Sequence, residues 1–165
     1  MEVVSMGEKA REIVGEKAEE IVEYLNKTLA DEWLAYYQYW IGARVARGRM
    51  RGQVVAELLE HAGDELRHAE MLVDRIIQLG GTPLLSPKEW FEKTNCGYES
   101  PTDPSTEAIL RQNIKGERCA IGTYREILKM TKDVDEVTYA LVLSILKDEI
   151  EHEEDLQSLL DDMAR

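Results

Sequence analysis

Proline is scarce in this chain, with four among 165 residues, and the prolines and eleven glycines fall mostly at candidate element boundaries, as a helical protein would place them. No apolar run approaches the eighteen or so residues of a membrane span, so an integral membrane protein is not expected. The first residues, Met1 to Lys9, lack a basic stretch followed by an apolar one, so no secretory signal is read and the cytoplasm is the expected compartment. Basic charge is also short: twenty Lys and Arg face thirty-three Asp and Glu, for a net charge of −13. That balance opposes binding to DNA or to anionic membranes, because neutralising phosphates needs clustered Lys and Arg. The one basic cluster, Arg44 to Arg51, lies at a predicted helix-to-helix turn, where a subunit contact is the better reading. Hydrophobic residues at 44% and charged residues at 32% describe a soluble globular protein with one core, so residues 1–165 are expected to form a single domain, with 1–15 as an N-terminal extension.

What the chain does contain is one pattern twice. A lone Glu32 is followed, about one helical hairpin later, by Glu65-Leu66-Arg67-His68; a lone Glu117 is followed at nearly equal distance by Glu149-Ile150-Glu151-His152. Each half carries a tyrosine seven residues after its first Glu, Tyr39 and Tyr124. Positions i, i+3 and i+7 share one face of a helix, so each half aims two carboxylates, an imidazole and a phenol at a common axis. Two halves together gather four carboxylates and two imidazoles, the ligand set of a dinuclear metal centre inside a four-helix bundle. In a chain this rich in Glu, one Glu-x-x-His is unremarkable as a surface coincidence; two, each with a matching upstream Glu, are not. Glu32 and Glu117 also interrupt apolar stripes (Leu29 to Tyr36, Ile114 to Ile121) that should face a core. Buried carboxylates without partners would protonate or unfold the bundle, whereas two divalent cations balance four Glu charges.

The pattern predicts four long helices. The first spans roughly Glu16 to Ala46, after a short helical stretch from Glu8 to Val14 broken at Gly15. The second runs from about Gln53 to Leu79 and stops at Gly80-Gly81. A longer connection, Thr82 to Asp103, contains a short amphipathic piece from Pro87 to Phe91. The third opens with Asp103 as N-cap and Pro104 at the first helical position and continues to about Met130; the fourth runs from near Asp135 almost to the end. Short turns make helices one and two, and three and four, antiparallel hairpins, and the longer link can cross the bundle from end to end. The fold class is all-α.

Three segments resemble a known family. Leu29-Ala30-Asp31-Glu32-Trp33-Leu34-Ala35-Tyr36-Tyr37-Gln38-Tyr39 is similar to the first helix of bacterioferritins, Asp64-Glu65-Leu66-Arg67-His68-Ala69-Glu70 to the second, and Asp148-Glu149-Ile150-Glu151-His152 to the fourth. The resemblance, to the ferritin-like superfamily, covers nearly the whole chain. It implies that Glu65 and Glu149 bridge two metal ions, that Glu32 and Glu117 are terminal carboxylates, and that His68 and His152 each bind one ion. Bacterioferritins carry a haem-ligating Met directly after the second-helix Glu; here Leu66 stands there, so no haem is expected. Too few residues follow His152 for the fifth helix of twenty-four-subunit cages, and the Pro87–Phe91 helix resembles that of the Dps family, whose cages have twelve subunits. Ordinary Dps proteins build their iron site between subunits, whereas this chain carries the complete set. Cys96 and Cys119, with a bacterioferritin-type centre, resemble the Dps-like thioferritins, in which such a pair can form a disulfide near the metals. From its own position Cys119 lies about 200° around the helix from Glu117, which argues against direct metal ligation. The alternative for the pair is two reduced buried thiols, the usual cytoplasmic state.

Histidine and carboxylate without thiolate suit iron or manganese better than a structural zinc site, and two iron ions per subunit are expected, with manganese as the alternative. The expected function is oxidation of Fe(II) at an intrasubunit two-iron centre, consuming hydrogen peroxide or O2, with ferric iron stored in a homo-oligomeric cage of twelve subunits as protection against oxidative stress. Tyr39 and Tyr124 are expected behind the ligands, packing there and hydrogen-bonding the Glu residues, with electron donation as the alternative role. His61, one turn before Glu65, reads as a packed or interface residue more than as a further ligand. Two other enzyme readings are a dimanganese catalase and a rubrerythrin-like peroxidase, the latter weakened by the absence of Cys-x-x-Cys pairs. A non-enzymatic reading, a DNA-compacting cage protein, is opposed by the acidic charge and the lack of a Lys/Arg-rich tail.

Overall fold

A computed structural model describes residues 8–165. It contains α1 (Glu8–Val14), a 3-10 turn (Gly15–Lys17), α2 (Ala18–Val45), α3 (Arg51–Gln78), α4 (Pro87–Lys93), α5 (Thr106–Thr131) and α6 (Glu136–Met163). The N-terminal extension expected over 1–15 is therefore described only from Glu8 onward; residues 1–7 lie outside the described range.

Helices α2, α3 and α6 are each 28 residues long and α5 is 26, so each spans about 40 Å at 1.5 Å per residue. Their buried positions recur at helical spacing, for example Ile109, Asn113, Glu117, Tyr124 and Ile127 on α5. Tight turns join α2 to α3 and α5 to α6, giving two antiparallel hairpins. At the end of α3, Gly80 takes a positive φ of 74°, and the amides of Gly80 and Gly81 donate to the carbonyls of Ile77 and Ile76 at 2.9 Å each, which satisfies otherwise orphaned acceptors. A Cβ on Gly81 would stand 2.6 Å and 2.8 Å from the Val22 methyls, so this corner closes against α2 only with glycine.

The same contact places the end of α3 near the start of α2. The start of α5 lies at the opposite end, where Arg47 N donates to Pro104 O at 2.8 Å and Thr106 N to Arg47 O at 2.9 Å. The connection from Leu79 to Ser105 must therefore run the length of the bundle. Within it α4 opens with a capping box, Ser86 accepting from Lys88 N and Glu89 accepting from Ser86 N. Trp90 of α4 stacks on Trp33 of α2, ring centres 5.2 Å apart and planes within 4°.

Several boundaries differ from the sequence reading: α2 starts at Ala18 after a 3-10 turn, not at Glu16, and α4 runs on to Lys93. Helix α5 begins at Thr106 with Ser105 as its N-cap, not with Asp103 and Pro104. Asp103 instead accepts from Ser105 N at 2.9 Å, and the Pro104 carbonyl is held by Arg47, so the chain is still extended there. Helix α3 starts two residues earlier than Gln53, after Met50 in a left-handed conformation.

The core is divided. One apolar cluster includes Ile21, Leu25, Leu29, Leu72, Ile76, Ile127, Val142 and Ile145. The other includes Val54, Leu58, Ile109, Leu110, Ile114, Leu156 and Leu160. Along the helices, between these clusters, lies a layer of buried Glu, His and Tyr. No helix among the described residues is long and apolar enough to cross a membrane.

Candidate metal centre

Each helix of the bundle contributes to the polar layer: Glu32 from α2, Glu65 and His68 from α3, Glu117 from α5, and Glu149 and His152 from α6, all buried. Their ligand atoms form two groups, Glu32/Glu65/His68/Glu149 and Glu65/Glu117/Glu149/His152, each with its atoms within 4.8 Å of one another. Glu65 and Glu149 belong to both. The ring nitrogen His68 Nδ1 lies 3.0 Å from Glu149, 3.4 Å from Glu65 and 3.5 Å from Glu32. His152 Nδ1 lies 3.3 Å from Glu65 and 3.6 Å from Glu117. The two imidazole centres are 6.1 Å apart.

These residues fit a metal pair. Five buried atoms in the layer lack any hydrogen-bond partner among the described residues: Glu32 Oε2, Glu65 Oε1, Glu117 Oε2, Glu149 Oε1 and His152 Nδ1. Buried polar atoms are normally paired, and lone pairs converging on a common space are what a cation satisfies. Without ions, protons do the balancing. Burial is the largest influence on His152 and opposes its charge, but the nearby carboxylates of Glu117 and Glu65 override it and push the imidazole up to about 11. His68 is raised in the same way, burial being outweighed by Glu149, Glu32 and Glu65. Burial, reinforced by neighbouring carboxylates, holds Glu32 and Glu149 well above the usual carboxylate range. Glu65 goes the other way: burial favours its acid form, yet the neighbouring Glu32, His152 and His68 lower it. Metal binding to such a site must displace protons.

The tyrosines cross the bundle. Tyr39 of α2 donates to Glu117 of α5, and Tyr124 of α5 donates to Glu32 of α2. Burial first, then the adjacent carboxylates, raises both phenols well above their ordinary value, so they stay protonated as donors.

Two residues with no role assigned from the sequence complete the centre. Each histidine turns its outer nitrogen to an aspartate on the opposite helix: His68 Nε2 lies 2.8 Å from Asp148 Oδ2, and His152 Nε2 lies 3.0 Å from Asp64 Oδ2. Arg67 Nη2 donates to both, at 3.2 Å to Asp64 and 2.8 Å to Asp148. Such outer carboxylates fix the ring and make its inner nitrogen a better ligand. The signal was in the sequence, since an Asp immediately precedes each Glu of the two Glu-x-x-His motifs.

Cys96 and Cys119 form a disulfide, with Cα atoms 5.8 Å apart, joining the loop after α4 to α5. Asp31, next to Glu32, anchors that loop by accepting from Asn95 N at 2.8 Å, from Cys96 N at 2.9 Å and from the Thr94 hydroxyl. Beneath it a cavity of about 430 Å³ runs from exposed Asn95, Gly97 and Glu99, past both cysteines, to Glu32, Tyr39, Glu65, Glu117 and Glu149. His61 belongs to neither ligand group of the polar layer. It is buried and stacks on His152, ring centres 4.0 Å apart and planes at 24°. Burial, then the His152 charge, lowers it to about 4.

Known proteins share this arrangement's frame. A family model described as a ferritin-like domain matches residues 22–165. The chain is 39% identical over 151 residues to a Pyrococcus furiosus protein named DNA protection during starvation protein, covering 90% of this chain and 81% of that one. It is 27% identical over 143 residues to a Streptomyces coelicolor bacterioferritin, covering 86% and 80%. Among solved structures, the bacterioferritin-related protein of Bacteroides fragilis, described as a dodecameric thioferritin, superposes with a TM-score of 0.94 at 46% identity, covering 96% of this chain and 95% of that one. The chain thus belongs to the ferritin-like family, as a Dps-like, bacterioferritin-related member.

Proposed function

We propose that this chain is a ferroxidase whose substrates are Fe(II) and hydrogen peroxide, or O2, and whose product is ferric iron stored in a cage. The observation that carries the reading is the pair of overlapping ligand groups sharing Glu65 and Glu149. On this reading Glu32 and His68 hold one iron, Glu117 and His152 the other, and the two shared carboxylates keep them a few Å apart. Two Fe(II) ions each give one electron as the peroxide O–O bond breaks, and two protons are taken up to yield two waters. Delivery of both electrons together avoids the hydroxyl radical that a single Fe(II) would release.

The protein's share is positioning and charge balance. His68 and His152 lose a proton at Nδ1 to take up metal, Asp148 and Asp64 steady the rings at Nε2, and Tyr39 and Tyr124 orient the terminal carboxylates. The cavity under the Cys96–Cys119 loop offers a small oxidant a path to the centre. By likeness to the Bacteroides fragilis protein, twelve subunits form the cage. With a net charge of −13, any protection of DNA would come from removing Fe(II) and peroxide and not from coating the duplex.

The test is Fe(II) oxidation by stopped flow in wild type, Glu65→Ala and His152→Ala, with assembly mass checked by size exclusion. Fast oxidation should disappear in both variants while the assembly persists. Unchanged rates in both would end the reading.

A further inference from the structure

We propose that Glu57 and His61 of α3 and Asp155 of α6 form a third, mononuclear site for a divalent transition-metal cation, one helical turn from the dinuclear centre. His61 is only 1% exposed, and neither of its ring nitrogens makes a hydrogen bond to any of the described residues. Yet Nε2 is not remote from polar atoms. It lies 3.1 Å from Glu57 Oε1 and 3.5 Å from Asp155 Oδ2, close but misdirected for donation. Two atoms that ligate one ion at about 2.1 Å each must sit roughly 3.0–3.5 Å apart, which is the spacing seen. The three ligand atoms lie within 4.8 Å of one another.

The surroundings favour a cation over a mere contact. His61 is held by its stack on His152 and by Tyr39, whose ring meets it edge-on at 5.3 Å. The imidazole is thus fixed before any ion arrives. The side chains of Glu57 and Asp155 are 28% and 43% exposed, so an ion can enter from solvent and keep bound water at its remaining positions. One imidazole with two carboxylates suits Fe(II), Mn(II) or Zn(II). The group lies on the α3–α6 side of the bundle, away from the cavity that opens between α2 and α5.

The test uses Zn(II), which is redox-inert, on the intact assembly. Equilibrium dialysis at micromolar Zn(II) should find one equivalent more per subunit in wild type than in Glu57→Gln or Asp155→Asn. Both substitutions are isosteric and partly exposed, so folding is preserved, and size exclusion checks it. Anomalous scattering from zinc-loaded crystals then assigns each ion. Density between Glu57, His61 and Asp155 supports the site, and it does so even if the six buried ligands are empty, an outcome that would refute the dinuclear reading instead. Equal zinc content in wild type and both variants, or density only among the six buried ligands, overturns it.

Discussion

Replacing Asp148 or Asp64 with asparagine isolates the support given to each histidine. Asparagine keeps the shape and an acceptor oxygen but removes the charge behind His68 Nε2 (2.8 Å) or His152 Nε2 (3.0 Å). Loss of such an outer carboxylate typically weakens metal binding about 10–100-fold, or roughly 1.4–2.8 kcal/mol. The two aspartates are 29% and 34% exposed, and Arg67 already shares their charge, so solvent screening places the effect near the tenfold end. The crossed geometry makes the prediction specific. Asp64 sits on α3 beside Glu65 and His68, yet its loss should weaken the ion held by His152 and Glu117. Asp148 sits on α6, yet its loss should weaken the ion held by His68 and Glu32. Competition for Zn(II) against a chromophoric chelator gives the affinities, and anomalous occupancies at limiting zinc show which ion is lost. Affinities within twofold of wild type, or loss of the ion on the aspartate's own helix, would refute the reasoning.

Tyr124→Phe removes the donor to Glu32 and leaves a buried carboxylate oxygen unpaired; metal-free stability should fall by about 1–2 kcal/mol, read as a lower urea midpoint at fixed subunit concentration. An unchanged midpoint would show that the bond contributes nothing. The Cys96–Cys119 bridge spans a sequence separation of 23, for which loop-closure entropy gives roughly 3 kcal/mol. Reductant should therefore lower the melting temperature of wild type but not of the Cys96→Ser/Cys119→Ser variant, and equal responses would contradict this. Far from the centre, Arg75 donates to Asp135 and Thr138 at 2.8 Å each, both partners buried. Burial is the largest influence on Asp135 and raises it, but Thr138 and Arg75 bring its carboxyl below the ordinary value. A depressed folded-state value means stabilisation that is complete above about pH 4 and lost as pH falls through the folded-state value. Asp135→Asn should then cost about 3–5 kcal/mol near neutrality by stranding the Arg75 charge. Denaturant titrations should show that gap constant from pH 5 to 8 and shrinking below about pH 4; a gap that widens in acid would reverse the argument.

The six residues of the buried layer were legible because their relationship is local. A Glu and a His three apart share a helix face wherever the helix is placed, and the repeat of that pattern, with Glu32 and Glu117 set into apolar stripes, pointed both halves inward. Helix ends at Gly80-Gly81 and Asp135 were equally local. The N-cap of α5 was not, because Asp103 and Ser105 are both good capping residues and the choice is made by Arg47, which pairs with Pro104 and Thr106 across the bundle end. Sequence also left the partners of Asp64 and Asp148 open, since an aspartate beside a glutamate on one helix gives no sign that it meets the histidine of another. The bond between Cys96 and Cys119 was expected only from the family resemblance, whereas the cavity beneath it and the meeting of His61 with Glu57 and Asp155 were left open as well. Spacing along one helix fixes direction about that helix alone; which side chains meet across the gap depends on how two helices are rotated and shifted against each other, and only packing sets that.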